Sequence, residues 1–434
     1  MGCQMNEYDS NRILDIVKSA GYSSTKNISQ ADCYVLNTCH IREKATDKVY
    51  HDVGRVKKEF NDKKKPILII AGCVAQAEGD MMLKRESYID GIIGPQSYHQ
   101  IPEMIKKIEQ KRKKINFTEF EVIDKFDKLN LIKNSNSKVS TFLTIQEGCD
   151  KFCKFCVVPY TRGPEHSRSF KEIVSEAKQL VDNGSKEITL LGQNVNAYNF
   201  RDKRLSDIIN ELENLIGLER IKYTTSHPKD VTKDLIEIHG TAKKLMPLLH
   251  LPVQSGSSKI LLKMGRKHSI EEYLEIIQKL KKSNNLIKFS SDFIIAYPGE
   301  EKSDFLDSIN LMKKIKFINS YSFIFSPRPG TPSHKLKLVN SEIAKERLKE
   351  FQKVSDNIKK VYRKSLLNSK SKVLFENKIN NEQKYFGRDE YSNSVIVPSK
   401  YDLTGKILNV KINEFNHNTL FGSLITPNQK YVAA

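Results

Sequence analysis

The stretch Glu147-Gly148-Cys149-Asp150-Lys151-Phe152-Cys153-Lys154-Phe155-Cys156 decides how this chain is read. Its cysteines are spaced Cys-x3-Cys-x2-Cys and directly follow Thr141–Ile145, an apolar run of strand length. A tight loop at the carboxyl end of a strand is where parallel α/β folds place their ligands. Three thiolates on one such loop can ligate three irons of a [4Fe–4S] cube, leaving the fourth iron open to a small molecule. Two other readings are weaker. A structural zinc site wants a fourth protein ligand, usually from a second pair, and none is nearby. A thioredoxin-like Cys-x-x-Cys uses two cysteines at a helix start and leaves Cys149 without a role.

Downstream of the loop, strand-like and helical patterns alternate. Glu187–Leu191, Arg220–Thr225, Leu248–Pro252, Lys288–Ile295 and Tyr321–Phe325 read as further strands. Helical spacing lies between them, for example in Phe170–Asn183, Ile270–Lys282 and Asp304–Ile315. Six such units predict a partial (β/α)6 barrel with its site at the strand carboxyl ends. Upstream, residues 1–110 read as a separate parallel α/β unit. A helix over Asn11–Ala20 is followed by a strand at Cys33–Leu36, a helix over Glu43–Phe60 and strands at Ile67–Ala71 and Gly91–Ile93. Cys39 and Cys73 fall at strand ends there. Cys3 would match them if a strand preceded it, so a first strand is expected upstream of the start. Residues 102–135 are charged and loosely patterned, with Lys106, Lys107, Lys111, Arg112, Lys113 and Lys114 on a helix face, and read as a boundary. The barrel then occupies 135–365. Residues 366–431 change character: Ser394–Val397, Gly405–Ile412 and Leu420–Ile425 are strand-like and split by turns, which fits a small all-β barrel of oligonucleotide-binding type.

Composition bounds the partners. Over 434 residues the formal charge is +20, and +13 of it lies on residues 135–365. Such an excess favours a polyanion, because each neutralised phosphate releases counterions. Seven cysteines, an odd number, argue for metal or catalysis rather than a disulfide framework. No apolar run approaches the roughly 20 residues of a membrane helix. The polar opening Gly2-Cys3-Gln4-Met5-Asn6 is not a signal peptide, and Asn6 stands where a myristoylation pattern wants Ser or Thr. A cytoplasmic, monomeric protein without a membrane is the expectation.

With Phe155 at the aromatic position before its last cysteine, the cysteine loop resembles the radical S-adenosylmethionine superfamily. The resemblance implies that the open iron takes S-adenosylmethionine through its amino and carboxylate groups. One electron then cleaves it to methionine and a 5′-deoxyadenosyl radical. In that superfamily the end of the second barrel strand serves the amino group, which points to Gly192 and Gln193 in Leu191-Gly192-Gln193-Asn194-Val195-Asn196-Ala197-Tyr198. The catalytic and metal-binding set is then Cys149, Cys153 and Cys156, with Phe155, Gly192 and Gln193 binding the cofactor.

A second set of cysteines narrows the family. Gly2-Cys3-Gln4-Met5-Asn6, Asn37-Thr38-Cys39-His40-Ile41-Arg42-Glu43-Lys44-Ala45 and Gly72-Cys73-Val74-Ala75-Gln76 resemble the amino-terminal domain of the methylthiotransferases. In that family these cysteines hold a second [4Fe–4S] cluster, which makes Cys3, Cys39 and Cys73 its implied ligands. Cys33 falls outside the pattern and reads as a small apolar residue on a central strand. Val157-Val158-Pro159-Tyr160-Thr161-Arg162-Gly163, Ser226-His227-Pro228, Leu249-His250-Leu251-Pro252, Tyr297-Pro298-Gly299-Glu300 and Ser326-Pro327-Arg328-Pro329-Gly330 also match, so the resemblance runs the length of the chain. His227 and His250 read as hydrogen-bonded structural residues. Arg328 reads equally as an anion ligand and as a rim salt bridge. The phrases around Cys39 and Arg162 resemble the members that modify tRNA more than those that modify a ribosomal protein.

The implied reaction is methylthiolation at C2 of an N6-isopentenyladenosine next to the anticodon. A deoxyadenosyl radical removes the C2 hydrogen, the second cluster provides sulfur, and a second S-adenosylmethionine provides the methyl group. The implied partners are the anticodon stem-loop of tRNA, a small electron-donor protein and proteins delivering sulfur or iron–sulfur clusters. The same chemistry on a threonylcarbamoyladenosine or a ribosomal-protein aspartate, a non-enzymatic iron–sulfur RNA-binding regulator, and a zinc-stabilised RNA-binding protein are the alternatives.

Overall fold

The computed structural model describes residues 3–425 except 40–43, 112, 120–121, 131, 133, 135–136 and 381. Gly2, the His40-Ile41-Arg42-Glu43 part of the Cys39 motif, Arg112 and the end of segment 366–431 therefore lie outside the described residues.

The first unit is built on helix α1 (Gln4–Ser19), strand β1 (Cys33–Thr38), helix α2 (Lys44–Glu59), strand β2 (Ile67–Gly72), helix α3 (Cys73–Glu78), strand β3 (Gly91–Ile93), helix α4 (Ile101–Lys111), strand β4 (Ile115–Phe117) and helix α5 (Val122–Asn130). Its strands pair in parallel in the order β1-β2-β3-β4. β2 shows why its sequence is apolar throughout. Alternate side chains face opposite sides of a sheet covered on both faces. Leu68 and Ile70 pack with Val49, Val53 and Val56 of α2, while Ile69 and Ala71 pack with Ile13, Ile16 and Met104 on the other side. β1 stands at the sheet edge, so Cys33 is half-buried on an edge strand and not on a central one. α1 starts at Gln4, seven residues before the predicted Asn11, because Met5 and Tyr8 pack against Leu191 of the second unit. Cys3 caps that helix directly; among the described residues no strand precedes it.

The second unit carries strands β5 (Ser140–Thr144), β6 (Glu187–Leu191), β7 (Arg220–Tyr223), β8 (Leu248–His250), β9 (Lys288–Ile295) and β10 (Asn319–Ile324). Between and after them run helices α6 (Phe170–Asp182), α7 (Leu205–Glu213), α8 (Lys233–Thr241), α9 (Ser258–Met264), α10 (Ile270–Ser283), α11 (Lys302–Ile315) and α12 (Ser341–Ser365). β5-β6-β7 and β8-β9-β10 are parallel sheets. Ile221 joins them, donating to Lys244 O and accepting from Met246 N, both at 2.8 Å. β5 and β10 are not paired with each other, so the six-stranded wall is a barrel open on one side. Its core is apolar between wall and helices, from Leu143 and Ile188 to Phe293 and Phe351.

The last unit is a closed barrel of β11 (Lys370–Lys378), β12 (Lys384–Asp389), β13 (Ser394–Pro398), β14 (Ile407–Phe415) and β15 (Thr419–Leu424), in the order β11-β12-β13-β15-β14 and back to β11. Val373, Phe375, Tyr385, Val395, Val410 and Leu420 fill it. It is fastened to the large barrel by buried Arg220 of β7, which donates to Arg388 O and Lys372 O, both at 2.8 Å. Among the described residues no helix is long and apolar enough to cross a membrane.

Candidate active site

The cysteine loop leaves the end of β5 as an arch with closed feet: Gln146–Glu147 pairs antiparallel with His166–Ser167. Gly148 has φ +73°, and a Cβ there would stand 1.8 Å from Pro164 O, so only glycine lets the two feet approach. Gln146, fully buried, is the hub. Its Oε1 accepts from Gln193 N and Asn194 N at 3.0 Å each, and its Nε2 donates to Glu147 O at 3.1 Å and Gly148 O at 2.7 Å. Gly192 is fixed by this hub, since a Cβ on it would lie 2.6 Å from Gln146 Oε1. Gln193 returns the contact, its Oε1 accepting from Gly148 N at 2.7 Å. The far side of the loop is pinned by Lys154 N donating to Met264 O at 2.9 Å. Phe155 packs against the apolar group of Ile260, Leu261, Met264, Tyr297 and Phe325.

Cys153 is buried and Cys149 and Cys156 are half-buried among donors. Burial pushes Cys149 up to about 11 and Cys156 up to about 12, while the amides of Lys151 and Val158 pull the other way. Without a cation such thiols stay protonated near neutral pH, so metal loading here expels protons. Arg266, nearly fully buried, places Nη1 3.7 Å from Cys153 Sγ and donates Nη2 to Pro252 O.

At the amino-terminal sites, Gly72 decides the geometry. With φ +94°, its missing Cβ would stand 2.3 Å from Thr38 O, so the ends of β1 and β2 approach closely enough to bring Cys39 and Cys73 to one edge. Cys3 at the start of α1 completes the set, its Sγ 3.6 Å from Cys39 Sγ. That contact, together with burial, holds the Cys3 thiol far above its ordinary range. Arg162 Nε lies 3.4 Å from Cys73 Sγ.

Two further features surround the cysteines. At the barrel mouth, His227 Nε2, His268 Nε2, Arg266 Nε, Ser226 Oγ and Asn194 Oδ1 are buried with no hydrogen-bond partner among the described residues. Each such group costs about 1–3 kcal/mol unless something polar meets it. His227 accepts from Lys229 N at 3.2 Å and meets His268 edge-on at 5.6 Å; burial keeps both rings neutral, His268 down to about 4. Inside the barrel, a cavity of about 410 Å³ is lined by Phe142, Lys222, His250 and Tyr321, with Gln4 of α1 and Arg388 of β12 at its rim. His250 bonds Ser290 Oγ at 2.9 Å and stands 3.5 Å from Asp292, so it is tied into the wall as a structural histidine would be. Arg328 is half-buried, and its carbonyl accepts from Thr331 N and Oγ1.

The donor set fits the implied groups. Buried thiols with converging amides and guanidinia suit iron–sulfur ligation, whose sulfurs take such hydrogen bonds. The unpartnered polar atoms at the mouth suit a ligand carrying an ammonium and a carboxylate. Gln146, Arg162 and Arg266 were not legible as site residues in the sequence. Their only local signal is a polar side chain inside or beside a motif, and the partners Gln193, Cys73 and Cys153 lie 47, 89 and 113 residues away.

A barrel with a three-cysteine loop at its mouth, flanked by a second cysteine-bearing α/β unit and a small closed β-barrel, defines a radical S-adenosylmethionine enzyme of the methylthiotransferase type. Residues 1–94 match the Uncharacterized protein family UPF0004, residues 143–312 the Radical SAM superfamily and residues 358–425 the TRAM domain. A tRNA-2-methylthio-N(6)-dimethylallyladenosine synthase of Pelagibacter ubique (strain HTCC1062) is 58% identical over 100% of this chain and 98% of its own. The Rickettsia akari (strain Hartford) protein of the same name is 46% identical over 98% of both chains. A radical S-adenosylmethionine methyltransferase, TsrM, from Kitasatospora setae shares the fold at TM-score 0.56 and 10% identity, over 75% of this chain and 72% of that one. The chain belongs to the family of tRNA-2-methylthio-N(6)-dimethylallyladenosine synthases.

Proposed function

We propose that this chain methylthiolates C2 of an N6-isopentenyladenosine beside the anticodon of tRNA, using two [4Fe–4S] clusters, one on Cys149, Cys153 and Cys156 and one on Cys3, Cys39 and Cys73. The observation that carries the reading is Arg162, which reaches Cys73 from the segment that follows Cys156 and also contacts Glu147, two residues before Cys149. The cofactors supply the radical, the sulfur and the methyl group. An aromatic C–H offers neither an acidic proton nor a leaving group, so the chain's own task is placement and exclusion of water.

The residues divide that task. Gln146 and Gly148 hold the cysteine loop against the ends of β5 and β6. Gln193, with Arg266 and the mouth histidines, forms the polar wall for the amino-acid part of S-adenosylmethionine, and Gly192 and Phe155 shape the wall behind it. The cavity with Phe142, His250 and Tyr321 is sized for a nucleobase carrying a short apolar substituent. A base reaches it only when unstacked, and an anticodon loop offers such bases. The closed β-barrel and the excess positive charge hold and steer the RNA. A small electron-donor protein and sulfur-delivering proteins serve the chain as transient partners of a cytoplasmic monomer.

The test is iron and acid-labile sulfide on anaerobically reconstituted protein, beside a Cys149→Ala/Cys153→Ala/Cys156→Ala variant. Mass spectrometry of an isopentenylated stem-loop RNA after turnover accompanies it. About eight irons in the parent and about four in the variant, with methylthiolated RNA from the parent only, is the expected result. About four irons and none, or a threonylcarbamoylated RNA as the better substrate, would overturn it.

A further inference from the structure

Arg162 lies six residues after Cys156 and is nearly fully buried. Four parts of the chain meet on it. Its Nη2 donates to Asp9 Oδ2 of α1 at 2.7 Å and its Nη1 lies 3.4 Å from Glu147 Oε1, two residues before Cys149. Its Nε lies 3.4 Å from Cys73 Sγ, and its own carbonyl accepts from Gln96 Nε2 at 2.9 Å. Glu147 also takes Lys125 Nζ at 2.6 Å, and that ammonium stands 3.9 Å from Asp9 and over the ring of Tyr98.

The charges in this pocket settle what Arg162 can do. Two cations face two carboxylates, and all four are buried, so the group is neutral on its own. Burial opposes the guanidinium's charge, but Asp9, Cys73 and Glu147 outweigh it and keep it protonated. Nη1 and Nη2 are spent on the carboxylates, while Nε is turned to sulfur. A fixed donor on a ligating sulfur favours the state in which the cluster is more negative, and hydrogen bonds to sulfur are among the levers that set cluster potentials. Of the donors described around the six cysteines, Arg162 is the one whose other contacts reach the opposite cysteine loop.

We propose that Arg162 is a positioning residue for the amino-terminal cluster: its Nε fixes the Cys73 sulfur and raises that cluster's reduction potential, while Glu147 registers it to the Cys149 loop. The inference rests on the two-cluster reading above.

The experiment uses full-length protein carrying Cys149→Ala, Cys153→Ala and Cys156→Ala, reconstituted anaerobically so that only the amino-terminal cluster is present. Arg162→Gln and Arg162→Lys are added, with Asp9→Asn/Arg162→Gln as the variant that leaves Asp9 no unpaired charge. Iron content and an EPR-monitored redox titration are read. Arg162→Gln is expected to keep about four irons and to lose about tenfold in preference for the reduced state, 59 mV lower for a one-electron couple. The double variant should match it, and Arg162→Lys should recover part of the shift. An unmoved potential and EPR signal in Arg162→Gln, or in the double variant should the single one not fold, overturns the proposal alone. A parent that binds no iron overturns the two-cluster reading and the proposal with it.

Discussion

Replacing Gln146 with Leu keeps the volume of a fully buried side chain and removes both of its polar ends. Four backbone groups then lose their partner: the amides of Gln193 and Asn194, and the carbonyls of Glu147 and Gly148. The site is closed to water, so nothing replaces the amide. At about 1 kcal/mol for each group, the low end for a buried unsatisfied donor or acceptor, the corner loses roughly 4 kcal/mol. That is a large part of the roughly 5–15 kcal/mol that holds a domain together, and on the order of a thousandfold in the local opening equilibrium. Hydrogen–deuterium exchange over residues 186–198 is the assay, because the chain has several units and no single unfolding midpoint describes it. Exchange should accelerate there by orders of magnitude and hardly change in the closed barrel of β11–β15. On the two-cluster proposal, iron in reconstituted protein should fall from about eight to near four as the Cys149 loop loses its anchor. Acceleration below about tenfold with full iron content would refute the assignment of Gln146 as the hub.

Two further outcomes are expected. Arg388 lines the barrel cavity and is paired with Glu376; if it trades that pair for a phosphate of the RNA, the slope of log affinity for a stem-loop RNA against log salt should shrink by about 0.7–0.9 in Arg388→Ala, and an unchanged slope would remove Arg388 from the interface. His239 is buried, with Tyr223 Oη 2.7 Å from its Nε2, and burial lowers it to about 4. Its unfolded counterpart takes a proton below about 6.5, so the barrel should lose about 3 kcal/mol as pH falls from 6.5 to 4 and nothing above that window. Replacing His239 with Gln should remove about one proton from that acid limb in melting curves, and an identical limb would refute it.

Periodicity made the large features legible. β2 is apolar on both faces, so Ile67–Ala71 announced a strand covered from two sides, while β6 sets Ile188 and Leu190 on one face and Glu187 and Thr189 on the other. The cysteine spacing announced the loop at the mouth. Where the reading slipped, tertiary contacts were the cause. The early start of α1 was hard to see because Asn6, Asp9, Arg12 and Asp15 are buried polar residues, which blur the apolar stripe that would have marked its first turns. β10 begins at Asn319, before the apolar residues that suggested Tyr321, because its register is set by hydrogen bonds to β9 while Tyr321 and Phe323 remain exposed. The strands β11 and β12 were hidden by charged residues at alternate outward positions, Lys370, Lys372, Glu376 and Lys378 on one and Lys384 and Arg388 on the other. Gln146, Arg162 and Arg266 each owe their role to a partner far along the chain, and spacing within a motif carries no trace of that.

The docking of α1 has a consequence for biosynthesis. Cys3 heads a helix whose buried face is completed by Leu191, and whose Tyr8 hydroxyl donates to Glu176 at 3.2 Å. At roughly 5–20 residues per second, a ribosome needs on the order of ten to forty seconds to travel from Cys3 to Leu191. During that interval the first cysteine has no finished seat, although Cys39 and Cys73 have already emerged. On the two-cluster proposal, iron inserted early would find an incomplete set of thiols, so assembly of an amino-terminal cluster would be timed by translation of the barrel, and a chain stalled before β6 should carry none on Cys3, Cys39 and Cys73.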